Sequence, residues 1–97
     1  MDIAEFQELI RERYYATDSA RGAPGTFLWF AEEVGELAKA IGKQQRGDPP
    51  AANQPELEDE FADVLAWLAT LANVTGVDLD EAVRKKYVEG GGPKGTK

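Results

Sequence analysis

Apolar residues recur at helical intervals along almost the whole chain. Ile3, Phe6, Leu9, Ile10 and Tyr14 fall three or four positions apart, which predicts an amphipathic helix over residues 2 to about 17. Asp2 followed by Glu5 has the form of a capping box in front of it, and Arg11 and Arg13 lie on its polar side. Residues 18–25, with Asp18, Ser19, Gly22, Pro24 and Gly25, read as a loop, and Thr26 can cap the next helix. That second helix is expected from Phe27 to about Lys43, with Phe27, Phe30, Ala31, Val34, Leu37, Ala38 and Ile41 on its apolar arc. Residues 44–54 form a connection, and Pro55 opens a third helix that reaches about Val74 and stops at Gly76. Its apolar arc is Leu57, Phe61, Val64, Leu65, Leu68, Leu71 and Ala72. Asp78 and Glu81 repeat the capping pattern and open a short fourth helix with Leu79, Ala82, Val83 and Tyr87 inward. No stretch alternates in the manner of a strand. The expectation is an all-α, four-helix bundle-like domain over residues 1–89, followed by a flexible glycine-rich tail over residues 90–97.

Composition narrows the partners. Ninety-seven residues allow one small domain, and a bundle this size buries little core alone, so pairing through apolar faces is expected. Eighteen acidic against eleven basic residues give a net charge of −7. That charge argues against a nucleic-acid surface and against binding to an anionic membrane. With no cysteine and no histidine, the chain has no disulfide, thiol nucleophile or imidazole base. The first residues lack a basic stretch followed by an apolar one, and no apolar run is long enough for a bilayer, so the expected location is the cytoplasm.

Two acidic pairs interrupt the apolar pattern. Glu33 and Glu36 lie one turn apart on the second helix, and Glu60 and Asp63 one turn apart on the third. Each pair projects from one side of its helix. Glu33 falls at the edge of its apolar arc, and Glu60 falls between Leu71 and Trp67 on its own. A carboxylate in a core-facing stripe costs several kcal/mol unless something compensates it. Acidic residues at a helix start are common without any function, which accounts for Glu56, Glu58 and Asp59 but poorly for Asp63. Hard divalent cations such as magnesium, or manganese in its place, suit all-oxygen ligands of this kind. A metal held there would let clustered acids bind the phosphate oxygens of a nucleotide and position water for attack at phosphorus. Glu32, beside the first pair, is a candidate base for that water or a group that supports its neighbours.

The motif Glu32-Glu33-x-x-Glu36 followed by Glu60-x-x-Asp63 resembles the signature of the MazG-like nucleoside triphosphate pyrophosphohydrolases, within the all-α NTP pyrophosphatase superfamily. The runs Glu33-Val34-Gly35-Glu36-Leu37-Ala38 and Asp63-Val64-Leu65-Ala66-Trp67-Leu68 are similar too, and the likeness covers roughly residues 5–88. It implies cleavage between the α- and β-phosphates of a (deoxy)nucleoside triphosphate, giving monophosphate and pyrophosphate, in a nucleotide-pool house-cleaning role. By position it implies that Glu33, Glu36, Glu60 and Asp63 hold magnesium. Trp29 and Trp67 are then candidates to flank the base, and Lys39, Lys43 and Lys86 to contact phosphates. The resemblance also implies a homodimer or a dimer of dimers. The chain departs from the family pattern at Gly90, where an asparagine is usual. The competing reading is a non-catalytic acidic helical module that binds a partner. Placement of Glu60 within an apolar arc speaks against it, and a di-iron carboxylate centre is disfavoured because it draws on Glu-x-x-His pairs.

Overall fold

The computed structural model describes residues 1–46 and 53–93, and among them every regular element is helical. Helix α1 spans Ile3–Arg46 and is broken at Gly22, whose φ of 79° and ψ of 172° lie in a region essentially reserved for glycine. The break divides α1 into a first limb before Gly22 and a second limb after it. Helix α2 spans Gln54–Thr75, and α3 spans Leu79–Val83 and runs on as a π-helical turn, Arg84–Glu89.

Three of the helix ends form as their sequence predicts, but Thr26, expected as a cap, lies buried inside the second limb because helix resumes directly after Gly22. Asp2 and Glu5 exchange side-chain to backbone hydrogen bonds of 3.1 and 2.8 Å, a complete capping box. Gly76 adopts a left-handed conformation, and the Val77 N–H donates to the Ala72 carbonyl at 2.8 Å, so α2 closes in a Schellman motif. Asp78 accepts from the Glu81 N–H at 3.0 Å and caps α3.

The expected loop over residues 18–25 does not form: helix continues on both sides of a single non-helical residue. Pro24 falls in the first turn of the second limb, where a missing N–H costs nothing. Side-chain pairings show how the limbs meet α2. Gln7 bonds Asn73, the Val77 carbonyl and the Leu79 N–H, and Asp18 bonds Thr70, so the first limb crosses the C-terminal end of α2. The second limb runs antiparallel along α2, with Asn53 donating to the Ala40 carbonyl and Lys43 pairing with Glu56.

The seam between the two helices is narrow. Ile10, Ala40, Leu57, Ala69 and Ala72 are buried, together with the polar Asp18, Thr26, Thr70 and Asn73. The apolar arcs expected from periodicity on the second limb and α2 are therefore split: Phe30, Leu37, Leu57, Val64, Leu71 and Ala72 are buried or half-buried, and the rest turn outward. Phe27, Val34, Ile41, Phe61, Leu65 and Leu68 are all exposed in the protomer. In the fourth segment Leu79 is half-buried, but Ala82, Val83 and Tyr87 are exposed rather than inward. Most of the expected connection, residues 47–52, and the last part of the expected tail, residues 94–97, lie outside the described residues.

Candidate active site

The face of the second limb that meets α2 carries Thr26, Phe30, Glu33, Leu37 and Ala40, each three or four positions from the next. Glu33 thus lies in the middle of the packed face instead of at its edge. On α2 the packed face carries Leu57, Glu60, Val64, Trp67 and Leu71, again at helical spacing. Two half-buried carboxylates therefore face one another across the seam. Asp63, one turn on from Glu60 and more exposed, completes a trio whose carboxylate oxygens lie within 4.8 Å of one another.

No base neutralises this trio among the described ion pairs. Burial pushes the Glu33 carboxyl above its ordinary value, and the charges of Asp63, Glu60, Glu32 and Glu36 push it further. Glu60 is raised in the same way, by burial first and then by Asp63, Glu36, Glu56 and Asp59. Its Oε2 is buried and makes no hydrogen bond. An orphaned carboxylate oxygen in a cluster of acids fits a hard divalent cation, which would take the lone pairs that no donor reaches. Glu36 is exposed and stands outside the trio, close enough for its charge to raise both Glu33 and Glu60. Glu32 is exposed beside them.

Trp29 and Trp67 come together with ring centroids 6.0 Å apart and planes inclined by only 12°. They form one stacked platform rather than two separate jaws. The lysines fall elsewhere. Lys43 pairs with Glu56 at 2.9 Å, Lys39 is exposed on the same limb, and Lys86 lies over the Tyr87 ring at 5.9 Å. None has a described contact with the acidic trio.

A second polar cluster, not anticipated from the sequence, lies one to two turns along the seam. Asp18 is 4 % exposed; its Oδ1 accepts from Arg21 Nη2 at 2.7 Å and its Oδ2 from the Thr70 hydroxyl at 3.0 Å. Arg21 Nε donates to the buried Thr26 hydroxyl at 3.0 Å, and the guanidinium carbon stands 5.0 Å from the centre of the Trp67 ring. A cavity of about 380 Å³ opens here, lined by Tyr14, Thr17, Asp18, Arg21, Asp63 and Trp67 among others. The available signal was the opposite charge of Asp18 and Arg21 at i, i+3; the turn residues around them masked it.

Arranged this way, the seam gathers unneutralised oxygen ligands, a flat aromatic surface and a cavity of mixed polar and apolar lining along one stretch of α2. No individual curated protein matches the chain. The sequence model of the MazG nucleotide pyrophosphohydrolase domain does match it, over residues 24–89, a stretch that contains both acidic pairs, the tryptophan platform and α3. The chain belongs to the MazG nucleotide pyrophosphohydrolase family.

Proposed function

We propose that this protein is a magnesium-dependent hydrolase of nucleoside triphosphates, cleaving between the α- and β-phosphates to give monophosphate and pyrophosphate. The observation that carries the reading is the unneutralised trio of Glu33, Glu60 and Asp63, with its orphaned Glu60 oxygen. Glu33, Glu60 and Asp63 would hold the metal, with Glu36 beside them; manganese suits the same donors. The bound ion supplies the positive charge that a triphosphate needs beside these carboxylates and acidifies water at neutral pH.

The chain's own residues do the rest. Glu32, exposed next to Glu33, takes the proton of the attacking water. Trp29 and Trp67 offer the face of their stack to the base. Lys39 and Lys86 are exposed donors for the outer phosphates, and Lys43 joins them on leaving Glu56. A homodimer or dimer of dimers covers the outward apolar arcs of α1 and α2, which a lone protomer leaves in water. No single described helix is long and apolar enough to cross a bilayer. A cytoplasmic house-cleaning role fits this chemistry, since removing unwanted triphosphates requires only hydrolysis.

A panel of ribo- and deoxyribonucleoside triphosphates, incubated with magnesium and resolved by chromatography, tests the proposal. Monophosphate with pyrophosphate is the expected product pair. Diphosphate with phosphate would overturn the bond assignment, and no turnover on any substrate would favour the acidic interaction module.

A further inference from the structure

The cavity beside the acidic trio has one wall from α2 and another from the first limb of α1. Only the first of these belongs to the stretch that matches the family, because Tyr14, Thr17, Asp18 and Arg21 precede residue 24. The acidic groups read as serving the reaction lie on α2 and the second limb. The first limb adds something separate from them.

It adds a guanidinium held in a fixed orientation. The side-on pair of Arg21 N–H groups, Nε and one on Nη2, is taken up by Thr26 and Asp18. Asp18 is held in turn by Thr70 across the seam. Room for the side chain comes from Gly25, where a Cβ would meet Arg21 Cγ at 3.0 Å. The end-on pair, one N–H from each terminal nitrogen, has no partner among the described residues, and Arg21 lines the cavity. Asp18 cancels the charge of Arg21. With Asp18 on it, the fork keeps no net positive charge to draw a phosphate. The Arg21 guanidinium lies over the Trp67 ring, which also stacks with Trp29, so a neutral, flat group with hydrogen-bond acceptors entering the cavity would meet the Arg21 fork at its edge.

We propose that Arg21, held by Asp18 and Thr26, reads the base of the substrate and selects bases that carry two adjacent acceptors, namely guanine through O6 and N7 or cytosine through O2 and N3. Adenine and uracil or thymine place a donor beside each ring-edge acceptor that the fork would reach, so they satisfy one N–H and oppose the other. The identity of the ligand as a nucleotide rests on the pyrophosphohydrolase reading. The selection itself does not depend on hydrolysis.

The test is binding of nucleoside monophosphates, followed by quenching of tryptophan fluorescence, with turnover of the triphosphates measured in parallel. GMP or CMP is expected to bind about tenfold more tightly than AMP and UMP. Arg21→Lys keeps a charge beside Asp18 but loses the planar fork, and is expected to erase that preference while leaving inhibition by inorganic tripolyphosphate unchanged. Gly25→Ala displaces the fork with the ion pair intact and is expected to weaken the preference in the same direction. Equal binding of all four monophosphates, or a preference that survives Arg21→Lys, would overturn the inference. So would a loss of tripolyphosphate inhibition in Arg21→Lys equal to its loss of GMP binding, since the fork would then hold phosphate. Absence of turnover with the monophosphate preference intact would instead sink the hydrolase reading and leave the base pocket standing.

Discussion

Asp18 and Glu60 both place a carboxylate in the seam between α1 and α2, yet they live in opposite surroundings. Asp18 has a guanidinium on one oxygen and a hydroxyl on the other. Glu60 has acids around it and an oxygen with no partner at all. A balanced buried charge is a structural feature, since its lone pairs are used within the chain. An unbalanced group of acids stores repulsion that a bound cation or protons relieve. The difference between the two clusters is therefore a difference between a joint and a receptor, and it can be broken from either side.

The largest effect is expected at the receptor. Glu60→Gln keeps the shape of the side chain and removes a ligand, and should reduce metal-dependent turnover about 100-fold or more. The same change should raise the melting temperature of the metal-free protein at neutral pH, because one repelling charge is gone. A variant that loses turnover by unfolding would show the opposite shift. Next comes the joint. Asp18→Ala strands Arg21 and Thr70 and should destabilise the fold by about 2–3 kcal/mol in urea unfolding, towards the low end for a buried pair because the Arg21 side chain keeps 23 % exposure. A cost under about 0.5 kcal/mol would put the pair with ordinary surface ion pairs and make it incidental.

A third effect sharpens the contrast through pH. Glu33 and Glu60 bind protons more tightly in the folded protein than in the unfolded chain. Their contribution to stability is thus complete below about pH 4.3, the ordinary glutamate value, and is lost as pH climbs through their raised folded values. In chelator, the wild type should lose ground to Glu60→Gln steadily from about pH 4 to neutrality, and millimolar magnesium at neutral pH should reverse the trend. Parallel melting curves for the two proteins across that range would contradict it. The smallest effect concerns Gly35, in the middle of a helix between Glu33 and Glu36. A Cβ there meets nothing within 4 Å in the protomer. Gly35→Ala should stabilise by about 0.5–1 kcal/mol in denaturant titration. A loss instead, accompanied by a smaller assembly in light scattering, would place a second copy against that glycine.

Sequence periodicity locates most of the helical stretches, the caps at Asp2 and Asp78 and the stop at Gly76 because each depends on neighbours a few positions away. It places the faces only in part: Phe30, Leu37, Leu57, Val64 and Leu71 do lie on the packed faces, whereas Phe27, Val34, Phe61 and Leu65 do not. Phe27, Val34, Phe61 and Leu65 carry the apolar stripes beyond the side chains that actually meet, and periodicity cannot tell which part of a stripe the chain covers with itself. The packing of α1 on α2 is what brings Glu33 to Glu60. The spacing of the acids on each helix is legible in the sequence; their meeting across the seam is a consequence of packing. Asp18 and Arg21 are hidden because Ser19, Gly22, Pro24 and Gly25 outweigh them in any local reading, and only the α2 partner, Thr70, 52 positions away, gives Asp18 its role.

The break at Gly22 also bears on how such a protein can change over evolutionary time. One residue separates the helix that carries Glu33 and Glu36 from the limb that carries Tyr14, Thr17 and Arg21. Substitutions on that limb can redraw one wall of the cavity while every acidic side chain keeps its place, so a new preference can be tried without first losing the old chemistry. The glycine break lets the first limb vary at Tyr14 and Thr17 while Asp18 and Arg21 keep it joined to Thr26 and Thr70.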